Sequence, residues 1–366
     1  MRDAGWGEVK RVLLTADTVG GVWSYALELA GEFDRRGIEV CLATMGPFPG
    51  PDQRAQVNAL SNVELFEGGY KLEWMDDPWR EVEEAGEWLL ELEGLTSPDI
   101  VHLNGFVHGS LPFRAPVLVA GHSCVYSWYE SVKGSLPPEP WEIYRGKVAY
   151  GLRCADFVAA PTLAMLRALR KHYGIQVSNG VINNGRSSEI FKPLQKEKIV
   201  FSAGRVWDEG KNISTVIRGA SDFLWPSVIA GDNAGKEGSF TGVKFLGRIQ
   251  APEVAEWLGR ASVFLHPALY EPFGLSVLEA ALCGCALVLG NIDSLREVWG
   301  EAALYVSPLD REDVVKTVNM LAEDPEMLRY YSQAAGKRAL NFTSSKMAES
   351  CLEVYRMMLR KRWLVT

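Results

Sequence analysis

His266-Pro-Ala-Leu-Tyr-Glu271-Pro-Phe-Gly274-Leu275-Ser276-Val-Leu-Glu279 is the stretch that decides the fold. Ala261–Leu265 (ASVFL), just before it, is an apolar run with the length and β-branched content of a buried strand. After it, Leu275, Leu278, Glu279 and Leu282 recur at helical spacing among small alanines. The order is therefore strand, short loop, helix N-terminus. A helix start points unpaired N–H groups and a partial positive charge outward, which suits a phosphate. Gly274 lets a ligand approach the backbone, and Ser276 adds a hydroxyl in the first turn. Glu279 lies about five residues into the helix, roughly 7 Å deeper at ~1.5 Å per residue. Glu271 and Glu279 can thus meet different parts of one extended anionic ligand. The same pair is also compatible with a dipole-favoured charge and an ordinary surface residue.

The strand-helix alternation extends outward over the whole chain. Strands are expected at 9–16, 38–44, 99–104, 116–121 and 156–160, with helices at 22–36, 81–93, 144–153 and 162–173. A polar, turn-rich segment at 181–193, closed by Pro193, reads as a linker. The pattern then restarts, with strands at 198–203, 226–231, 243–246, 262–266 and 285–289. Helices are expected between them at 212–223, 252–260 and 275–283, and then at 294–300, 311–323, 326–340 and 345–361. Such alternation gives a parallel sheet covered by helices. The expected class is α/β, two Rossmann-like doubly wound domains facing across a cleft, split at 1–185 and 186–344.

The composition fits this and excludes other classes. A chain of 366 residues is long for one core. Hydrophobic content of 47% and charged content of 23% are those of an ordinary globular protein. A net charge of -8 argues against a nucleic-acid binder. The six cysteines lack metal-ligand spacing and are expected as buried free thiols in a reducing compartment. With no signal peptide and no apolar run of about 18 residues, a cytoplasmic location is expected. The helix at 163–173 is basic on part of its surface, which fits a solvated face better than a peripheral membrane contact.

Each half opens with a loop suited to phosphate. Asp17-Thr-Val-Gly20-Gly21-Val22 joins a strand to a helix, and paired glycines permit close approach of a ligand. Gly204-Arg205 ends another strand, and Asp208-Glu-Gly-Lys211-Asn212 leads into a helix. Arg205 and Lys211 can supply one forked and one point-like cation to a diphosphate. This is not a P-loop, because Gly204 to Gly210 is one residue too long and Asn212 stands where Ser or Thr would bind magnesium. No Gly-x-Gly-x-x-Gly fingerprint and no Gly-x-Ser-x-Gly elbow occurs. His122 emerges at the end of an apolar strand, where doubly wound folds place functional groups. His102 reads as structural, and His266 as either structural or functional. Tyr126, Trp128, Tyr129, Trp141 and Tyr144 crowd one stretch expected as a mobile loop, able either to hold a sugar-like or apolar acceptor or simply to pack the domain.

Taken together, these residues resemble the retaining GT-B glycosyltransferases of family 4, the glycosyltransferase group 1 type. The resemblance rests on Gly20-Gly21, Gly204-Arg205 with Lys211-Asn212, Ala230-Gly231-Asp232, Asn183-Asn184-Gly185 with Phe191-Lys192-Pro193, and above all Glu271 through Glu279. It implies retaining transfer of a sugar from a nucleotide-sugar donor, with UDP favoured, to a hydroxyl acceptor. No metal and no cofactor are implied. By the same resemblance Arg205 and Lys211 bind the diphosphate, and Gly20 and Gly21 approach it. Glu279 accepts from the ribose hydroxyls and Glu271 from those of the sugar. Gly274, Leu275 and Ser276 offer backbone N–H groups, and His122 stands beside the transferred sugar. The final helix, 345–366, is expected to cross back onto the first domain. A nucleotide-sugar epimerase of the same fold and a non-catalytic binding module are the alternatives.

Overall fold

The computed structural model describes residues 8–232 and 241–363. The chain divides into two compact units. The first comprises residues 1–127, 136–185 and 344–366, and the second residues 128–135 and 186–343.

The first unit is a seven-stranded parallel sheet. Its strands are β1 (Arg11–Asp17), β2 (Glu39–Met45), β3 (Val63–Glu67), β4 (Ile100–Leu103), β5 (Val117–Ala120), β6 (Phe157–Ala160) and β7 (Asn179–Val181), in the order β3-β2-β1-β4-β5-β6-β7. Alternate residues of β1 serve opposite faces, as strand geometry requires. Leu13 packs with Leu89, Val101 and Val119 under helix Trp79–Thr96, while Val12 and Leu14 pack with Leu29, Phe33 and Tyr355. Burial on both faces explains the near-continuous apolar runs.

Helix Ser344–Trp363 belongs to this unit and packs on helix Gly21–Arg35. Tyr355 lies against Phe33 with ring centroids 6.0 Å apart. At its start, Ser344 Oγ donates to the buried Glu32 carboxylate at 2.9 Å, which also takes Arg35 and Arg36.

The second unit repeats the plan with six strands. They are β8 (Glu197–Ala203), β9 (Ser227–Ala230), β10 (Val243–Gly247), β11 (Ala261–His266), β12 (Ala286–Gly290) and β13 (Leu304–Val306), in the order β10-β9-β8-β11-β12-β13. Phe201, Phe264 and Leu287 face Leu278 and Trp299 on one side; Val200, Val263 and Val288 face Val216 and Val314 on the other. Each such fully buried side chain stabilises by about 1.5–3 kcal/mol. Both units are Rossmann-like, and in each the strand order reverses once. The reversal falls between β1 and β4 in the first unit and between β8 and β11 in the second. In open α/β sheets the crevice outside the strand ends at that point is where ligands bind.

Two expectations need adjusting. The residues 128–135, assigned to the first domain by the sequence, group with the second unit. The aromatic stretch is mostly helical (Val125–Lys133 and Trp141–Cys154), and Tyr126 and Tyr144 are core residues rather than loop side chains.

Candidate active site

In the second unit, the loops after β8 and β11 are neighbours because those strands are paired. They are also stitched together. The Gly210 carbonyl accepts from the backbone N–H groups of Leu269 and Tyr270, at 2.9 and 3.1 Å. Asn212 adopts a left-handed backbone (φ 53°) and its amide donates to the carbonyls of Pro267 and Pro308, at 2.8 and 2.6 Å. Where a P-loop would carry a metal-binding hydroxyl, this chain carries a buried loop clamp.

The stitching brings Lys211 Nζ to 2.5 Å from Glu271 Oε2. His266, fully buried at the end of β11, places Nε2 3.0 Å from the same oxygen. A carboxylate only accepts, so that histidine nitrogen carries the proton. Burial alone would push the Glu271 carboxyl up, but the Lys211 ammonium and the His266 hydrogen bond together hold it well below the usual carboxylate range. Glu271 is therefore a buried, ionised group with two partners on one oxygen. Ser294 Oγ fixes its backbone by donating to the Glu271 carbonyl at 2.5 Å.

Gly274 follows with φ 91°, a left-handed conformation that side-chain-bearing residues rarely adopt, and begins helix Leu275–Leu282. Leu275 and Ser276 are half-buried in its first turn. Glu279 lies further along and pairs with Arg186, Nε to Oε1 2.8 Å, with both side chains largely buried. The Arg186 guanidinium also lies over the Phe191 ring, 4.8 Å from its centroid. Arg205 pairs with Asp208 at 2.8 Å and lies over Trp207, 4.9 Å from its centroid. Asp208 accepts as well from Gly210 N–H at 3.0 Å and from Trp128 Nε1 at 3.4 Å. Lys133 meets Glu209 at 2.7 Å. These last contacts explain why Trp128–Ser135 belongs to this unit.

In the first unit, Gly20 (φ 90°) and Gly21 are exposed at the start of helix Gly21–Arg35, just beyond β1. His122 follows β5, half-buried, and its Nε2 is 2.8 Å from Asn104 Oδ1. Burial pushes its imidazole down to about 4, so it is neutral at pH 7. Glu73, in the loop before helix Trp79–Thr96, accepts from the backbone N–H groups of Phe106 and Val107 at 3.1 and 2.9 Å. Burial outweighs these bonds and raises it to about 7.

The second unit thus brings Lys211, Glu271, Gly274 and Ser276 into one strand-end group. Arg205 lies on the same loop as Lys211 and Glu279 on the helix that Gly274 begins, each paired with a residue, Asp208 and Arg186, that the sequence did not point to. Arg186, Asn104 and Glu73 went unassigned, and His266 was left open between a structural and a functional role. The only signal for His266 was its place at the end of an apolar run. Arg186 stood out only as one of two cations, with Lys192, in a polar segment.

A family model described as "Glycosyl transferases group 1" matches residues 185–338, and one described as "Glycosyltransferase Family 4" matches residues 19–189. O-antigen chain mannosyltransferase B of Escherichia coli is 26% identical over 137 residues, 37% of this chain and 34% of that protein. Glycogen synthase of Mycobacterium tuberculosis is 32% identical over 127 residues, 34% of this chain and 31% of that protein. The matched stretches thus span about a third of those relatives' lengths. Over nearly the whole chain, the fold is similar to sucrose-phosphate synthase from Thermosynechococcus elongatus, with a TM-score of 0.80, 17% identity, and 96% of this chain and 100% of that one covered. Anabaena HepE in complex with UDP-glucose gives a TM-score of 0.74 at 16% identity, covering 95% and 99%. With two doubly wound units and a Glu271–Glu279 segment set at a topological switch point, residues 185–338 belong to the group 1 glycosyltransferases and residues 19–189 to glycosyltransferase family 4.

Proposed function

We propose that this protein transfers a sugar from a nucleotide-diphosphate sugar to a hydroxyl acceptor, with retention at the anomeric carbon and without a metal. The observation that carries the reading is the Lys211–Glu271–His266 cluster at the β8/β11 switch point, beside the start of helix Leu275–Leu282. It offers a cation, a buried acceptor of hydroxyl protons and backbone N–H groups within one strand-end group. The family membership supports the reaction class, and the UDP-glucose bound by the Anabaena protein supports a uridine donor.

Arg205 and Lys211 meet the diphosphate and stabilise the charge that develops as the nucleotide leaves. Preorganised donors of this kind are each worth about 10²–10³ in rate. Glu271 accepts from hydroxyls of the donor sugar, through the oxygen that Lys211 and His266 do not occupy. Glu279, held by Arg186, accepts from the ribose. Backbone N–H groups of Gly274, Leu275 and Ser276 add neutral donors at the positive end of the helix. In the first unit, Gly20 and Gly21 give a ligand close access to the backbone, and His122 meets a sugar hydroxyl. The acceptor is sugar-like or apolar around its hydroxyl.

The test is product analysis by NMR after incubation with UDP-, GDP- and ADP-sugars and an acceptor panel. An α-linked product from an α-linked donor is expected, and Glu271→Ala or Lys211→Ala abolishes it while the far-UV spectrum stays unchanged. Full activity in either variant overturns the assignment. Release of free sugar without any acceptor would favour an epimerase. Tight donor binding with no turnover would favour a binding module.

A further inference from the structure

Thr15, Asn104 and His122 stand on or just beyond β1, β4 and β5, which are adjacent strands in the first sheet. Asn104 is held twice by Thr15. Its backbone N–H donates to Thr15 Oγ1 at 2.8 Å, and its side-chain Nδ2 donates to the Thr15 carbonyl at 2.5 Å. A backbone carbonyl only accepts, so the amide nitrogen must face it and the amide cannot be turned over. That places Oδ1 2.8 Å from His122 Nε2. Because an amide oxygen also only accepts, Nε2 must carry the proton. A neutral imidazole has one N–H, so Nδ1 is left with a lone pair. The ring plane is held as well, by the edge of Tyr25 at a centroid distance of 4.4 Å and an interplanar angle of 62°. Tyr25 in turn reaches His102 Nε2 at 3.4 Å, and His102 Nδ1 reaches Tyr355 of the final helix at 2.5 Å.

We propose that Asn104 is a positioning residue: it fixes His122 as the Nε2–H tautomer, which makes Nδ1 an acceptor for a sugar hydroxyl. A hydroxyl that donates there keeps its own lone pairs for N–H donors elsewhere in the site. The identity of the hydroxyl rests on the glycosyl-transfer reading, whereas the tautomer follows from the three hydrogen bonds alone.

The experiment is long-range ¹H–¹⁵N correlation NMR of the histidine rings in the full chain, with His122 assigned by its loss in His122→Gln. Donor kinetics are measured in parallel. The unaltered chain is expected to show a neutral, Nε2-protonated His122 at pH 7. Asn104→Ala frees the ring to populate both tautomers and lowers kcat/KM for the donor about tenfold, the worth of one net hydrogen bond. Asn104→Asp, which keeps an acceptor in place, retains the Nε2–H signature and so separates tautomer control from general damage. An Nδ1–H ring in the unaltered chain overturns the proposal. An Asn104→Ala protein with both tautomer and rate unchanged does the same. If no donor is turned over at all, the transfer reading fails, and the ring spectra still decide the tautomer lock.

Discussion

The Lys211 ammonium and the Glu271 carboxylate stand 2.5 Å apart, and His266 donates to the same carboxylate oxygen from the end of the neighbouring strand β11. A pair this buried costs desolvation, and removing one partner strands the other. Lys211→Ala is therefore expected to lower unfolding free energy by about 3 kcal/mol, at the low end of such changes because Lys211 is only partly buried. Adding Glu271→Gln to that variant should restore most of the stability but none of the affinity for UDP. Urea unfolding and calorimetry on the unaltered chain, both single variants and the double variant separate the two effects. Equal stability in all four would show that the pair is not coupled.

His266 has no direct role in the proposed reaction, yet it aims the carboxylate. His266→Phe fills the space beside Phe264, on which the imidazole stacks with ring centroids 6.0 Å apart, and deletes the N–H. The donor KM should rise about tenfold while stability drops by about 1.5–3 kcal/mol, since one hydrogen bond to a charged group is lost. Steady-state kinetics with varied donor provide the check. An unchanged KM would mean that Lys211 alone orients Glu271.

Three histidines whose imidazoles are shifted down give the fold an acid-labile side. Burial pushes His102 down to about 3 and His122 to about 4, and lowers His108 as well. Unfolded, each titrates near 6.5. Their contribution is fully present above that value and is lost as pH falls toward 4, because the unfolded chain then binds the extra protons. Each can add up to about 1.4 kcal/mol per pH unit to the slope in that window. Urea titrations at pH 7, 6 and 5 should show falling stability, and His102→Gln should flatten the slope. An unaltered slope in that variant would contradict the assignment.

Glu73 acts in the other direction. Its carboxyl, raised to about 7, binds a proton more tightly in the folded state than in the unfolded one. It therefore favours folding at pH 4.5 and ceases to do so as pH rises through 7. Glu73→Gln keeps an acceptor for the N–H groups of Phe106 and Val107 and should be more stable than the unaltered chain at pH 8, with the gap closing by pH 5. Paired thermal melts at the two pH values decide it. A constant gap would mean that Glu73 is ionised throughout.

The sequence made most of the sheet legible because buried parallel strands are apolar on both faces, as Val12–Ala16 and Ser262–Leu265 show. The strands it did not reveal, Val63–Glu67, Asn179–Val181 and Leu304–Val306, are sheet edges. They are short and half-exposed, and they carry residues such as Glu64 and Gly180 that weaken the signal. Helix Pro51–Asn58 was missed for the same reason, since Val57 is its one buried residue. In the site, the strand-turn-helix around Glu271 was local and could be read directly. The pairs Lys211–Glu271, Arg186–Glu279 and Asn104–His122 depend on which strand ends are neighbours and which loops return to them. Periodicity does not encode strand order, so those partners became visible only with the fold.

The most direct test of the central claim, that protein cations rather than a metal meet the diphosphate, is the affinity of UDP measured by calorimetry in excess EDTA. The unaltered chain should bind UDP there as tightly as with added manganese, and Lys211→Ala should weaken binding at least tenfold. Binding that appears only with manganese, or that is indifferent to Lys211, would contradict it.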